Sequence, residues 1–295
     1  MTHIKKAVIL AAGMGTRLLP YSKEMPKEML PIYVIEQGKV VLKPLLQYIF
    51  EQLYNAGIRE YCFIVGRGKR RVEDHFTPDW DYVDFLIEKN KEPEAEMMSK
   101  FYEMIEDSLI VWINQSKPKG TGDAINRAKK FVGSEYFIAV AGDNVFLGKN
   151  IFKELLRYHS ELRAPIIAVT RVDEPSKYGI ISYEDFRDEI VKVKSIIEKP
   201  TEPPSNLANV STYLFPPEIF DFIDKCPISK RGEIEITDAI QMLVEEYNVY
   251  AYEVRNVYWI DVGTPLTYLN AILASVINNG DKNLINSIRS MLNLA

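Results

Sequence analysis

Chemistry that depends on thiols or imidazoles has little to draw on in this chain, which holds two cysteines and three histidines among 295 residues. Cys62 sits in a strand-like segment and Cys226 lies far downstream beside Pro227, so the two suggest reduced thiols rather than a disulfide framework. His3, His75 and His159 are widely separated and show no metal-ligand spacing, which gives no support to a zinc site or a histidine-based triad. No apolar run approaches the ~20 residues that a bilayer span requires. The apolar stretch near the N-terminus stops at Gly13 without a cleavage pattern, so no membrane association and a cytoplasmic location are expected. Positive charge is also short: 36 Lys and Arg face 41 Asp and Glu, for a net charge of −5. The longest basic cluster, Arg67 to Arg71, contains a glycine and reads as a solvated helix start, so nucleic acid is not an expected partner. A polyanionic ligand would have to be drawn in by local cations.

What is present begins with Leu10-Ala-Ala-Gly-Met-Gly-Thr-Arg-Leu18, followed by Pro26-Lys-Glu-Met-Leu-Pro31, whose lysine stands ten residues after the arginine. A short apolar strand, Lys6 to Ala12, runs into a glycine loop where backbone amides can approach phosphate oxygens, and Arg17 and Lys27 supply positive charge. A Rossmann fingerprint would need a third glycine where Leu18 stands, and a P-loop would need Gly-Lys-Ser/Thr after four spacers. Neither is met, which argues against a nicotinamide-dependent oxidoreductase.

Strand-like runs at Lys6 to Ala12, Tyr61 to Gly66, Leu109 to Asn114 and Tyr136 to Ala141 alternate with amphipathic stretches, the pattern of a doubly wound α/β sheet. Leu45, Leu46, Ile49, Leu53 and Ala56 recur at helical spacing, with Gly57 as a C-terminal cap. Residues 77–107 read as a charged helical excursion outside the core. Val34 to Val41 reads as a small hairpin turning at Gly38. The second half is richer in strands and ends in helices from about 265. With no repeat and no linker, residues 1–295 are expected to form one continuous domain whose C-terminal portion packs on the same sheet.

Two carboxylates follow apolar strands. Gly142-Asp143-Asn144 suits either a metal ligand at a strand end or a simple turn. Asp261 precedes a proline-started helix, but Thr264 suits the cap better, which frees the acid for another role. Gln115 to Ala124 carries Gly120 and Gly122 at a helix start, where glycine allows close backbone approach.

Together these segments resemble the sugar-1-phosphate nucleotidylyltransferases, whose signature is GxGTRL followed by a Lys-centred PKEMLP segment. The resemblance runs from residue 4 to about 275. PKEMLP, the charged 77–107 stretch and Glu198-Lys199 with the SNLA that follows lean toward the uridylyl branch, while Gly142-Asp143-Asn144 looks as much like the thymidylyl branch. It implies a Rossmann-like, doubly wound mixed sheet with helices on both faces, in a GT-A-like nucleotidyltransferase architecture. Ala11, Ala12, Gly13, Gly15, Thr16, Gln115 and Gly120 would bind the nucleotide, with the last facing the base beside Gln115. Arg17, Lys27, Asp143 and Asp261 would be catalytic, the two aspartates holding Mg²⁺. Asn144, Gly179, Glu198 and Lys199 would bind the sugar phosphate.

UTP and glucose 1-phosphate are the implied substrates, and a homodimer or homotetramer the implied assembly. The alternatives are dTTP-dependent thymidylyl transfer and a non-catalytic nucleotide-sugar-binding homologue. Three features depart from the family pattern. They are the 34–41 hairpin, and Asn209 and Ser211 where an aliphatic residue and a glycine are usual.

Overall fold

The computed structural model describes residues 4–36, 38–280 and 282–291. Its strands are β1 (Lys6–Ala11), β2 (Pro31–Glu36), β3 (Lys39–Pro44), β4 (Glu60–Val65), β5 (Leu109–Asn114), β6 (Phe137–Ala141), β7 (Asn144–Leu147), β8 (Ile166–Arg171), β9 (Gly179–Arg187), β10 (Ile190–Glu198), β11 (Leu207–Phe215), β12 (Tyr250–Glu253) and β13 (Tyr258–Asp261). Val8 and Ile9 in β1, like most of β4, are buried whichever way they point, because helices cover both faces of a parallel sheet. β1 lies between β4 and β6, parallel to both, and β5 extends the parallel set. Parallel neighbours need crossover connections. The helix α1 (Leu45–Asn55) provides one, burying Leu46, Ile49, Phe50 and Leu53 and ending before Gly57 at φ 99°.

The nine-stranded sheet runs β5-β4-β1-β6-β11-β8-β12-β10-β9. β11 enters it antiparallel between β6 and β8, which makes the sheet mixed. One face packs on α1, α2 (Arg70–His75), α3 (Trp80–Glu88) and α4 (Glu92–Glu106). The other face carries α5 (Thr121–Asn126) and α6 (Lys129–Val132). The helix α7 (Ile151–Leu162) lies with α1 on the first face, while α8 (Ile219–Ile223) and α9 (Ile236–Glu246) lie with α5 on the second.

The strands β8 to β12 of the second half join the main sheet, as expected, but a third, smaller core lies apart from it. The helix α10 (Pro265–Asn279) instead covers the β2–β3 hairpin and the antiparallel β7–β13 ribbon, enclosing Leu18, Ile32, Val145 and Val262. Tyr268 donates to the Pro31 carbonyl at 3.0 Å, and Ser275 Oγ accepts from the Tyr33 amide at 3.1 Å. The hairpin is therefore the surface that the C-terminal helix needs. Thr264 caps α10 in a reciprocal box with Thr267, ahead of Pro265. The last helix, α11 (Lys282–Met291), follows Gly280.

Residues 77–107 also depart from their expected place outside the core. Their acids do face solvent, but Val83, Leu86, Ala95, Phe101, Tyr102 and Ile105 join the large core on the α1 face. Phe101 meets Phe76 and Phe50 edge-on, with ring centroids 5.5 and 6.1 Å away. Amphipathic helices with one charged face look alike in sequence whether the other face meets protein or water. Phe101 is 2% exposed and Phe85 48%. Phe101→Ala should therefore cost about 3–5 kcal/mol in urea unfolding, whereas Phe85→Ala should stay within about 0.5 kcal/mol of the parent.

His75 fills the same core, with Nε2 2.9 Å from Gln47 Oε1 and its ring 5.1 Å from that of Phe101. Burial lowers its pKa to about 4. The unfolded chain takes up that proton near pH ~6.5, so stability falls as pH drops through the interval between the two values. The loss amounts to roughly 3 kcal/mol by the low end. Melting curves of His75→Gln should show a flatter decline than the parent between pH 6.5 and 4.

Candidate active site at the carboxyl ends of the central strands

The loop after β1 is shaped by glycine. Gly15 takes φ 63° and opens a 3₁₀ turn, Thr16–Leu18, whose Leu18 is anchored in the small core. The turn throws Arg17 outward over Gly263, where an added Cβ would sit 2.5 Å from Arg17 Nη2. Lys27 heads a further 3₁₀ turn, Lys27–Met29, and runs back across Gly13, where an added Cβ would lie 3.4 Å from Lys27 Cε. The two cations of the motif thus both act on the acid at the end of β13.

β6 delivers the first acid. Gly142 donates to the Leu10 carbonyl at 2.8 Å, and a Cβ there would stand 3.0 Å from that oxygen and 3.1 Å from Leu46 Cδ1, so the chain passes too close to β1 for a side chain. Asp143 follows, and β7 begins at Asn144. β13 pairs with β7 in the register Asp261↔Asn144, and Val262 donates to the Asp143 carbonyl at 2.9 Å. That two-stranded ribbon brings the two aspartates together across the gap in sequence.

Lys27 Nζ is ion-paired with Asp143 Oδ2. Burial disfavours the Lys27 ammonium, yet Asp143, Glu28 and Asp261 outweigh it and hold the pKa above the ordinary lysine value. Asp261 is raised to about 6, first by burial and then by the charge of Asp143, with Lys27 and Arg17 pulling the other way.

Beneath this cluster lies a pair that the sequence did not reveal. Glu28 is 1% exposed and accepts from Lys69 Nζ at 2.6 Å, and Lys69 is 7% exposed. The basic cluster 67–71 is thus not wholly solvated. One of its lysines turns inward because a buried carboxylate without a partner would be far more costly than the pair. Burial still raises the Glu28 pKa, while Lys69 and Lys27 oppose it. Glu28 follows Lys27 directly, so the pair pins the turn that aims Lys27.

From Lys27 a cleft of about 230 Å³ extends past Ala12, Gly13 and Glu28 to Gln115 and Gly120. Gln115 is buried, donating to Asp123 Oδ2 at 2.7 Å and to the Gly120 carbonyl at 3.3 Å. Gly120 takes φ 96°, and a Cβ there would meet the Ile234 carbonyl oxygen at 2.6 Å. The Ile234 amide donates to the Lys119 carbonyl at 2.8 Å and the Gly122 amide to the Ile234 carbonyl at 2.9 Å, stitching the 115–122 loop to the segment before α9.

The remaining expected residues divide. Ala11 packs inside the main core, and Gly15 and Thr16 lie in the turn beside Arg17, outside the lining of the cleft. Glu198 accepts from Thr237 Oγ1 at 3.3 Å and stands 3.5 Å from both Lys199 Nζ and Arg231 Nη2. An added Cβ on Gly179 would be 3.2 Å from Glu198 Oε2, so Gly179, Glu198 and Lys199 form one patch. Asn144 is occupied internally: Nδ2 donates to the Val210 carbonyl at 2.7 Å and Oδ1 accepts from Trp259 Nε1 at 3.3 Å. Its amide holds β11 and β13 in place instead of facing the cleft. Glu28, Lys69 and Arg231 were missed, since a charged residue in a loop announces neither its burial nor its partner.

Burial raises the Cys62 and Cys226 thiols to about 12 and about 11, so both are protonated and neither serves as a nucleophile at neutral pH. Among the described residues no three His, Cys, Asp or Glu side chains converge to hold a metal, and no helix is long and apolar enough to cross a membrane.

A family model described as nucleotidyl transferase matches residues 6–276. The chain belongs to that family. It is 37% identical over 278 residues to the UTP–glucose-1-phosphate uridylyltransferase of Bacillus subtilis, covering 92% of this chain and 91% of the relative. The corresponding Pseudomonas aeruginosa protein is 36% identical over 275 residues, covering 91% and 94%. A solved UDP-glucose pyrophosphorylase, complexed with UDP-glucose, superposes with a TM-score of 0.80 at 30% identity, over 92% of this chain and 98% of that one.

The stitched loops give a prediction. Gly120→Ala would force both a left-handed alanine and a backbone clash, and should lower stability by more than about 2 kcal/mol. Thermal unfolding would register it, and a variant melting with the parent would mean the loops are not so joined.

Proposed function

We propose that the protein transfers the uridylyl group of UTP to glucose 1-phosphate, forming UDP-glucose and pyrophosphate. The observation that carries this reading is the meeting of Asp143, Asp261 and Arg17 around Lys27, which lines one cleft with Gln115 and Gly120. Names borne by the relatives support the same substrates.

An oxygen of the sugar phosphate would form a bond to the α-phosphorus of UTP as the bond to the β-phosphate oxygen breaks, and pyrophosphate would leave with that electron pair. The attacking phosphate is already largely dianionic at neutral pH, its second pKa being ~6, so no general base is needed. Arg17 and Lys27 would neutralise charge on the departing phosphates, with Lys27 exchanging Asp143 for phosphate oxygens. Lys199 would hold the incoming phosphate, and Glu198 would accept from sugar hydroxyls. Catalysis of this kind is positioning plus charge stabilisation.

The acid pair fits magnesium, which takes one or two carboxylates and completes its shell with substrate phosphates and water. Asp143 and Asp261 are the residues that would hold it, burial first and then the charge of Asp143 raising the pKa of Asp261. Bound there, Mg²⁺ would supply charge neutralisation of the reacting phosphates.

Asp143→Asn keeps the side-chain shape, and should reduce kcat by about 10³-fold or more while the melting temperature moves by a few degrees at most. With UTP and dTTP offered at equal concentration beside glucose 1-phosphate, UTP should be consumed faster. A variant as active as the parent with the same magnesium dependence, or a preference for dTTP, would overturn the proposal.

A further inference from the structure

The ladder between β11 and β8 loses register between Asn209 and Tyr213. Within the break, Ser211 takes φ 50°, a conformation that suits glycine and strains other residues. The surroundings hold it there. The Ser211 amide donates to Asn209 Oδ1 at 3.0 Å, Asn209 Nδ2 donates to Tyr213 Oη at 2.8 Å, and the Val210 carbonyl is fixed by Asn144. The bulge is thus held by buried polar contacts from three directions, around a residue that glycine could replace without strain.

Ser211 borders the same cleft as Lys27 and Gln115. On its other side Asn209 adjoins the sugar-phosphate patch, since an added Cβ on Gly179 would come within 3.7 Å of Asn209 Cβ and 3.2 Å of Glu198 Oε2. Glu198 is also near enough to influence the buried Tyr213 hydroxyl, which accepts from Asn209. The residue therefore stands between the cleft assigned to the nucleotide and the Glu198–Lys199 pair, where a hexose joining the two would lie. Strain retained at such a point is the mark of a side chain kept for what it touches. A hydroxyl that both donates and accepts can distinguish epimers, because the wrong configuration leaves it unpaired.

Resting on the function proposed above, we propose that Ser211 is a specificity-determining residue that reads the hexose of the sugar 1-phosphate, presented to it by the bulge that Asn209 holds.

Ser211→Gly removes the hydroxyl and relieves the backbone, so the variant should fold and melt at or above the parent's temperature. Its kcat/KM ratio for glucose 1-phosphate over galactose 1-phosphate should fall at least about fivefold, with the KM for UTP unchanged. A purely internal role, as a part of the bulge, predicts the opposite pattern, a lower melting temperature with the hexose ratio unaltered within twofold. That result would overturn the proposal while leaving the uridylyltransferase reading intact. If the parent protein consumes no hexose 1-phosphate with UTP, both fall together.

Discussion

The ion pair between Lys27 and Asp143 joins positions 116 residues apart and fixes where the phosphate-binding loop stands relative to the ends of the central strands. Every other part of the site is arranged around it. Gly142 lets β6 pass close enough to β1 for the acid to reach the lysine, and Glu28 with Lys69 pins the turn on which the lysine stands. The β7–β13 ribbon then sets Asp261 beside the pair.

Such a cluster is hard to explain as a stabilising device. Buried charges lose hydration, and their mutual attraction repays that only with good geometry, so apolar residues of similar volume would often do as well. Here Arg17, Lys27 and Lys69 face Glu28, Asp143 and Asp261 within one small volume, and burial leaves both Glu28 and Asp261 with raised pKa values. Stability must come from elsewhere, chiefly the two apolar layers flanking the sheet and the third core under α10. The charged cluster is instead suited to a ligand that brings many phosphate oxygens and a divalent cation.

Much of this was legible because local rules carry it. β1, β4, β5 and β6 are short apolar runs, α1 ends where Gly57 allows a left-handed residue, and Thr264 before Pro265 marks the start of α10. Asp143 and Asp261 each follow or close an apolar strand, but only the resemblance to the sugar-1-phosphate nucleotidylyltransferases separated them from turn residues. What escaped depends on partners distant in sequence. Lys69 looked solvated among neighbouring cations, and only the fold reveals the carboxylate it covers. The 77–107 helices show a polar face in sequence, but whether Phe101 and its neighbours meet solvent or α1 is decided by the tertiary packing of that face. Asn144 was grouped with sugar-phosphate ligands, whereas its amide braces β11 and β13. The bulge at Ser211 has no local signature, since serine rarely adopts the conformation it takes here.

The central claim, that Asp143 and Asp261 form one cation site at the triphosphate end of the cleft, is tested most directly by anomalous diffraction from crystals soaked with UTP and Mn²⁺ in place of Mg²⁺. A manganese peak is expected between the two carboxylates, with Lys27 turned from Asp143 to a phosphate oxygen. Manganese and nucleotide bound elsewhere, with the Lys27–Asp143 pair undisturbed, would contradict it.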